Sequence, residues 1–545
     1  MGYNMYGLLN EELDLNLHEK YFLNTITEKL GKTYNESRSS NKYESLFLSG
    51  VFWVLSGLSI INKDRRNLNE VLDNNIIELI YILVMQCLEK KKIKEKYIYN
   101  LKKEKYLLSN EDVHNIINTS KYDNNFDKKS YTKRKKLERT RIIHDSTEKN
   151  CSEKVKNINN IDIDSEENSS KMREPKHSKL INDGEETTSK KRPFSKINVK
   201  LNKSMNNLSC SEKKKKKKKF IVRGFSPCNK KFLYEANVIS TLSAIQILFL
   251  LNKTSEDDIS TKILLEIYNF IYFIFDADRG FFYFSLNSLR YRFDGDMRFM
   301  FCSLAILYFI KLLLKKRNIN IHIYKYKEKC TQWISSCFNI DGGFSSLPGS
   351  ESHAGTTFCA ISSLNLLKGK SYENYFLENR LLKRRLIRWL CDRYENFGIN
   401  GRVGKDHDVC YAWWVLGSLV SLKTNLSELF NVNILINFIL KCQDRNNGGF
   451  SRVEQNENNF KKENFNYYQE EQLTYKETDP FHTFFSLCAL SLIYYNVNYY
   501  KKKAKRKCVL YDNAVFPQYF EHVLRRLKHI HESFAMPIDM IKSPL

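Results

Sequence analysis

The chain has 545 residues and carries 88 Lys and Arg against 62 Asp and Glu, a formal net charge of +26. Its 13 cysteines sit mostly in apolar runs such as FMFCSLAILYF, which excludes a small disulfide-stapled scaffold. Much of the lysine excess is confined to biased tracts, so the net charge does not by itself point to nucleic acid, and no specific nucleic-acid partner is expected.

The first residues, MGYNMYGLLNEEL, show no basic stretch leading into an apolar run, which predicts no secretory signal and a reducing, cytoplasmic location. Tyr6 stands where a myristoylation signal wants Ser or Thr. Residues 1–88 read as N-terminal helices, because YESLFLSGVFWVLSGLSII and NNIIELIYILVMQCL are too long and too continuous for strands. Residues 89–219 then lose their apolar pattern. The tracts at 90–105, 127–141 and 211–220 hold too few large apolar residues to build a core, so the segment is expected to be a disordered basic insert.

Order is expected to resume at Phe220. From there glycine turns recur: VRGFS at 222, DRGFF at 278, DGGFSSLPG at 341, FGINGRVG at 397 and NNGGFSR at 446. Each precedes a polar patch and an apolar helical run, a spacing that suits helix pairs. One pair cannot bury its own apolar face, so the pairs must stack into a solenoid or close into a ring. Strand-like alternation is almost absent, and the fold class predicted is all-α. The apolar runs at 242–251 and 301–314 fall short of the eighteen or so residues that span a bilayer, so no membrane-spanning helix is expected. Residues 220–530 form the remainder of the folded part, with a loop insert at 455–477 and a tail at 531–545.

Polar residues cluster after the turns: His353, Arg402, Lys405, Asp408, Cys410 and His482. In a stacked array these helix starts share one side, so the residues are positioned to converge. Asp408, Cys410 and His482 offer carboxylate, thiolate and imidazole, a three-ligand zinc site with an open position. Singly, each also has an ordinary use as a helix cap or core side chain. His353, Arg402, Lys405 and Tyr411 suit the oxygens of a diphosphate, although any one basic turn is commonly just solvated. Phe52, Trp53, Trp413, Trp414, Phe481, Phe484 and Phe485 either line an apolar tunnel or form core. Taken together, these groups suggest a metal-ionised thiol attacking a lipid diphosphate.

LSGVFW (48–53), TLSAIQIL (241–248), DMRFMFC (296–302), DGGFSSLPGSESHAG (341–355), NGRVGKDHDVCYAWWVL (400–416), FILKCQDRNNGGF (438–450) and DPFHTFFSLCALSL (479–492) resemble the protein prenyltransferase β subunits, nearest to the type II, Rab-directed branch. The resemblance implies an α/α barrel with a central lipid funnel. It implies zinc on Asp408, Cys410 and His482, diphosphate on His353, Arg402, Lys405 and Tyr411, and protein substrate at Arg298. It also implies a lipid pocket at Ser49, Phe52, Trp53, Trp413, Trp414 and Phe481. Farnesyl-specific members carry Trp where Ser49 stands, so the small Ser favours geranylgeranyl diphosphate. The type II branch further implies a prenyltransferase α subunit as heterodimer partner, a Rab escort protein and Rab GTPase substrates. A type I or farnesyl enzyme acting on CaaX tails, and a non-enzymatic basic scaffold for polyanions, are the competing readings. VRGF and DRGF are degraded versions of the family's glycine turns, and the two inserts have no counterpart in it.

Overall fold

Two kinds of helix alternate along the chain, and composition decides where each sits. A computed structural model describes residues 12–35, 44–61, 64, 67–94, 219–230, 233–291, 295–321, 326–368, 379–455, 476–506, 516 and 518–541. Its principal helices are α1 (Leu15–Asn35), α2 (Phe47–Ile61), α3 (Asn74–Gln86), α4 (Val238–Leu250), α5 (Thr261–Phe273), α6 (Met297–Lys316), α7 (Lys327–Ser336), α8 (Ala354–Lys368), α9 (Arg380–Cys391), α10 (Cys410–Ser421), α11 (Val432–Lys441), α12 (Pro480–Arg506) and α13 (Gln518–Leu524).

Helices α2, α4, α8 and α10 are buried along most of their length. Such helices are stable only when surrounded. They pack in order as α2, α4, α6, α8, α10 and α12, and α12 returns to α2, so the ring closes. The amphipathic helices lie outside: α3 buries Ile77, Ile80 and Val84, and α9 buries Leu386, Trp389 and Leu390. Of the two arrangements open to stacked pairs, this one is the α/α barrel. Helix α6 has the length and composition of a membrane span, beyond what the apolar run alone suggested, but 67% of its most apolar stretch is buried inside the barrel wall. Among the described residues, the ten cysteines form no disulfide.

Three links from an outer helix to the next inner helix follow one plan, each carrying a copy of Gly-Phe-Ser. Ser345 Oγ donates to Cys337 O (3.1 Å) and Leu347 O (2.7 Å), and Ser451 Oγ to Cys442 O (3.1 Å) and Val453 O (2.6 Å). Ser226 does the same with Cys87 O (3.1 Å) and Cys228 O (2.8 Å). The preceding Phe225, Phe344 and Phe450 N–H groups donate to Thr241, Thr357 and Thr483 Oγ1, each at 2.9 Å, on the first turn of the inner helix. Gly342, at φ +102°, belongs to one of these turns, and a Cβ there would lie 2.7 Å from Arg385 O.

The expectation of an insert beginning at residue 89 needs correction at both ends. Leu88–Lys94 and Lys219–Phe225 form a two-stranded antiparallel ribbon in continuous register, from Leu88 opposite Phe225 to Lys94 opposite Lys219. Phe220, Ile221 and Val222 supply β-favouring side chains, and Phe220 packs edge-on against Phe273 of α5 (5.3 Å), which gives the lysine strand a partner with an anchored face. VRGFS is therefore strand as well as turn. The Cys-to-Ser spacing is 8 residues at Cys337 and 9 at Cys442, but 139 at Cys87, so the insertion lies inside the first of these turns. Residues 95–218, the centre of the 455–477 loop and the end of the tail lie outside the described residues. The described residues all fall in one compact unit, Met1–Lys121 with Lys217–Leu545. Residues 531–541 are not a loose tail: Phe534 and Met536 are buried, Ala535 O accepts from Ser56 Oγ (2.9 Å) and Phe534 O accepts from Gln246 Nε2 (3.0 Å).

Helix α1 docks on α2 and on the turn before α12. Phe22 sits against Gly57, where a Cβ would come within 2.3 Å of the ring. His18 accepts from Gly449 N–H at Nδ1 (2.9 Å), which leaves Nε2–H to donate to Gln443 Oε1 (3.0 Å), and it stacks on Phe450. Burial, only partly offset by the Gln443 bond, lowers its pKa from 6.5 to about 4. The unfolded chain therefore takes up a proton before the folded one, so this contribution is complete above about pH 6.5 and is lost as pH falls toward 4, by about 3 kcal/mol. Urea midpoints measured across pH 4–7 should fall on the acid side, and His18→Gln should flatten that part of the profile.

Candidate active site

Inner-helix N-termini all follow the outer-to-inner turns, so they lie at one end of the ring, and the polar residues gather there. Asp408, Cys410 and His482 place one ligand atom each within 4.8 Å of one another. Asp408 and Cys410 are buried and His482 is nearly so. Asp408 Oδ1 accepts from the N–H of Cys410, the first residue of α10 (2.9 Å), and lies 3.3 Å from His482 Nε2. Asp408 stays below its ordinary pKa: burial opposes its charge, but the hydrogen bonds from His482 and Cys410 outweigh it. Burial and the neighbouring Asp408 push the Cys410 thiol well up.

His482 is oriented by a residue the sequence reading passed over. Asp479 Oδ2 takes Nδ1 of His482, while its Oδ1 accepts from Phe481 N–H (2.8 Å) and His482 N–H (3.0 Å). It is thus both N-cap of α12 and holder of the imidazole, with Pro480 in the first helical position. Burial opposes charge on His482, but the bonds to Asp408 and Asp479 outweigh it and raise its pKa to about 9. The Asp-Pro ahead of an apolar run was the available signal. Donor chemistry and placement fit a borderline-soft cation such as zinc: mixed O, S and N donors, with a carboxylate behind the histidine.

Next to this set, His353 at the start of α8 accepts from Gly355 N–H at Nδ1 (3.0 Å), so its Nε2–H donates to Tyr411 Oη (3.0 Å). Burial and then Arg402 lower the His353 pKa, in keeping with that neutral tautomer. Burial and then Cys410 push the Tyr411 phenol to about 12, so it keeps a proton to donate. Gly401 makes room for the Tyr411 ring, since a Cβ there would overlap it at 2.2 Å. Arg402 pairs with Glu351 (2.6 Å) near the surface. Lys405 is exposed on the same loop and makes no ion pair with a described residue, so it does not join the cluster in this conformation. Arg298 is gripped by Asp296, the N-cap of α6, through Nε (2.9 Å) and Nη2 (2.8 Å).

The aromatic residues form a connected wall. Phe52 meets Phe484 (5.5 Å), Trp53 meets Phe481 (5.0 Å) and Trp414 meets Phe485 (4.6 Å), while Phe481 meets Phe485 (4.8 Å). Trp53, Trp414 and Phe481 remain partly exposed although they lie on the inner ring. Trp413, expected among the pocket residues, is 1% exposed, and both it and Trp414 meet Phe358, at 5.7 and 5.0 Å. Ser49 is buried, its Oγ 3.2 Å from Ser243 Oγ on α4.

The profile of the prenyltransferase alpha-alpha toroid domain matches residues 13–121 and 192–536. The chain belongs to that family. Among curated relatives, the geranylgeranyl transferase type-2 subunit beta of Candida albicans is 33% identical over 39% of this chain and 58% of its own length. That of Saccharomyces cerevisiae is 34% identical over 31% of this chain and 44% of its own. The geranylgeranyl transferase type-1 subunit beta of Arabidopsis thaliana is also 34% identical, over 29% and 40% respectively. The chain thus spans little more than half of the first relative and under half of the others. In fold it is similar to Candida albicans protein geranylgeranyltransferase-I complexed with GGPP, with a TM-score of 0.51 at 18% identity over 97% of this chain and 98% of that one.

Asp479→Ala removes a cap and the support of His482 together. It should cost about 1 kcal/mol of stability and weaken metal binding by roughly 10–100-fold, read by thermal melts and by competition with a zinc chelator. Asp479→Asn should retain the cap and lose most of the metal effect.

Proposed function

We propose that this chain is the catalytic β subunit of a zinc-dependent protein geranylgeranyltransferase of type II, acting in the cytoplasm with an α subunit on Rab GTPases presented by an escort protein. The observation that carries the reading is the adjacency, at one end of a closed toroid, of a Cys-Asp-His donor set and a neutral His353–Tyr411 pair. Type-2 β subunits among the relatives support the choice of branch.

Zinc held by Asp408, Cys410 and His482 would bind the incoming protein thiol and favour its thiolate. The rest of the chemistry falls to this chain's own groups. The substrate sulfur attacks the first carbon of the lipid as the bond from that carbon to the diphosphate oxygen breaks, and the thiol proton leaves to solvent. Tyr411 O–H, held by His353, donates toward the departing diphosphate, and Arg402 and Lys405 supply positive charge where negative charge accumulates. For Lys405 this requires the 401–406 loop to fold inward over bound diphosphate. The partly exposed Trp53, Trp414 and Phe481 would hold the isoprenoid and fix its reactive end near the thiol. Ser49, at the α2–α4 contact, would leave depth for twenty carbons. Arg298 would face the protein substrate.

The deciding experiment is transfer of labelled geranylgeranyl by the chain co-expressed with its α partner, to a Rab with and without escort protein and to a CaaX peptide. Escort-dependent labelling of the Rab alone is expected; labelling of the peptide without escort would move the protein to the type I or farnesyl class. Cys410→Ala should abolish zinc retention and turnover while lipid binding persists. Lys405→Ala should slow the single-turnover rate by roughly a hundredfold with a smaller change in lipid affinity. Ser49→Trp should shift preference toward the fifteen-carbon diphosphate, seen in the ratio of kcat/KM for the two lipids.

A further inference from the structure

One charged side chain touches the donor set and has no part in the scheme above. Arg452 follows the Gly-Phe-Ser turn that leads to α12 and forms an ion pair with Asp408, its Nε 2.9 Å from Oδ2. Its main chain reaches the same segment from the other side, because Arg452 O accepts from Val409 N–H at 3.0 Å. The neighbouring Ser451 bridges to Thr478, one residue before Asp479. Arg452 therefore stands between the two pieces of chain that supply the ligands, the start of α10 with Asp408 and Cys410 and the start of α12 with His482.

The carboxylate geometry follows from these contacts. Oδ2 of Asp408 is taken by the guanidinium, while Oδ1 receives the Cys410 N–H and faces His482. A carboxylate pinned on one oxygen offers the other to a metal, which selects one-oxygen ligation over a two-oxygen grip. Arg452 is also within electrostatic reach of both Cys410 and Tyr411, the two residues that link the donor set to the diphosphate cluster.

We propose that Arg452 is a positioning residue that locks Asp408 into one-oxygen metal ligation and ties the Asp408–Cys410 segment to the His482 segment. The inference rests on the metal-site reading above. Arginine suits the task because its charge is spread over a planar group that stays beside the carboxylate; lysine offers a point charge on a flexible stem.

The test uses the full chain with its α partner and reads zinc affinity by competition with a chromophoric chelator, beside the melting temperature of the metal-free protein. Arg452→Gln should weaken zinc by roughly 10–100-fold, the usual cost of losing a residue that orients a metal ligand, without a matching loss in the metal-free melting temperature. Arg452→Lys should fall between it and the wild type. Glu454→Gln, which breaks the Lys441–Glu454 pair (3.5 Å) on the same stretch, should leave zinc affinity unchanged. Zinc affinity of Arg452→Gln within twofold of wild type would overturn the proposal; if that variant fails to fold, wild-type affinity in Arg452→Lys would overturn it. Failure of the wild type itself to bind zinc would instead sink the metal-site reading, and loss of zinc in Cys410→Ser with none in Arg452→Gln would sink this inference alone.

Discussion

The structure depends on the hydrogen-bonded turn that leads each outer helix into an inner one. In the turns before α4, α8 and α12 a serine hydroxyl closes onto a carbonyl at the end of the outer helix, and a threonine on the inner helix accepts the N–H of the phenylalanine just before that serine. Both bonds are buried, where an unmade partner costs about 1–3 kcal/mol, so the connection is held to one geometry. Because that geometry recurs, the inner helices start at the same end, and their first residues share one mouth. The site is a consequence of that alignment: His353, Asp408 to Tyr411 and His482 are all first-turn or pre-helix residues of α8, α10 and α12.

The same alignment explains why a long insertion is tolerated. Between Cys87 and Ser226 the chain leaves and returns through a seven-pair ribbon, and Ser226 N–H still donates to Cys87 O at 3.0 Å, as Ser345 does to Cys337. The turn's outer hydrogen bonds are made by residues on either side of the insertion. Loop-closure entropy grows only with the logarithm of length, so once the ribbon fixes the two ends the added residues weigh little on the barrel. The connection used is the one before α4, which contributes none of the proposed metal or diphosphate residues.

How much of this was legible in the sequence depended on range. The apolar runs of α2, α4 and α6 showed their helical state and burial directly, and the recurring Gly-Phe-Ser showed the repeat. Asp408, Cys410, His353 and His482 could be picked out because each follows a turn whose direction the repeat fixes. The ribbon could not be read from Lys90 to Lys94, because strand formation there is conferred by Phe220, Ile221 and Val222, more than a hundred residues away. Trp413 and Trp414 were read alike as pocket residues. Helical rotation of about 100° separates neighbours, and only packing decides that the first is buried and the second stays partly exposed. Residues 531–541 looked like a tail since nothing local shows that Ser56 and Gln246 would bind their carbonyls.

Asp479 and Arg452 were missed for a related reason, and their positions say something about how the site is built. Neither is distinguishable from an ordinary cap or a surface arginine until the partner across the turn is known. Yet together they contact the carboxylate and the imidazole of the donor set, one on each: Asp479 on His482 and Arg452 on Asp408. Their charges are opposite, and each matches what its ligand needs. A carboxylate behind the imidazole fixes the ring so that Nε2 faces the donor set, and a guanidinium behind the carboxylate occupies the oxygen that is not needed there. Both supports come from the segment between α11 and α12, whereas Cys410 is held by the helix it begins. Geometry at the site is therefore set jointly by the start of α10 and by the turn that enters α12, two elements brought together by the packing of α10 on α12. A change that loosened the contact between α10 and α12 would therefore act directly on the donor set, whose members are divided between the starts of those two helices.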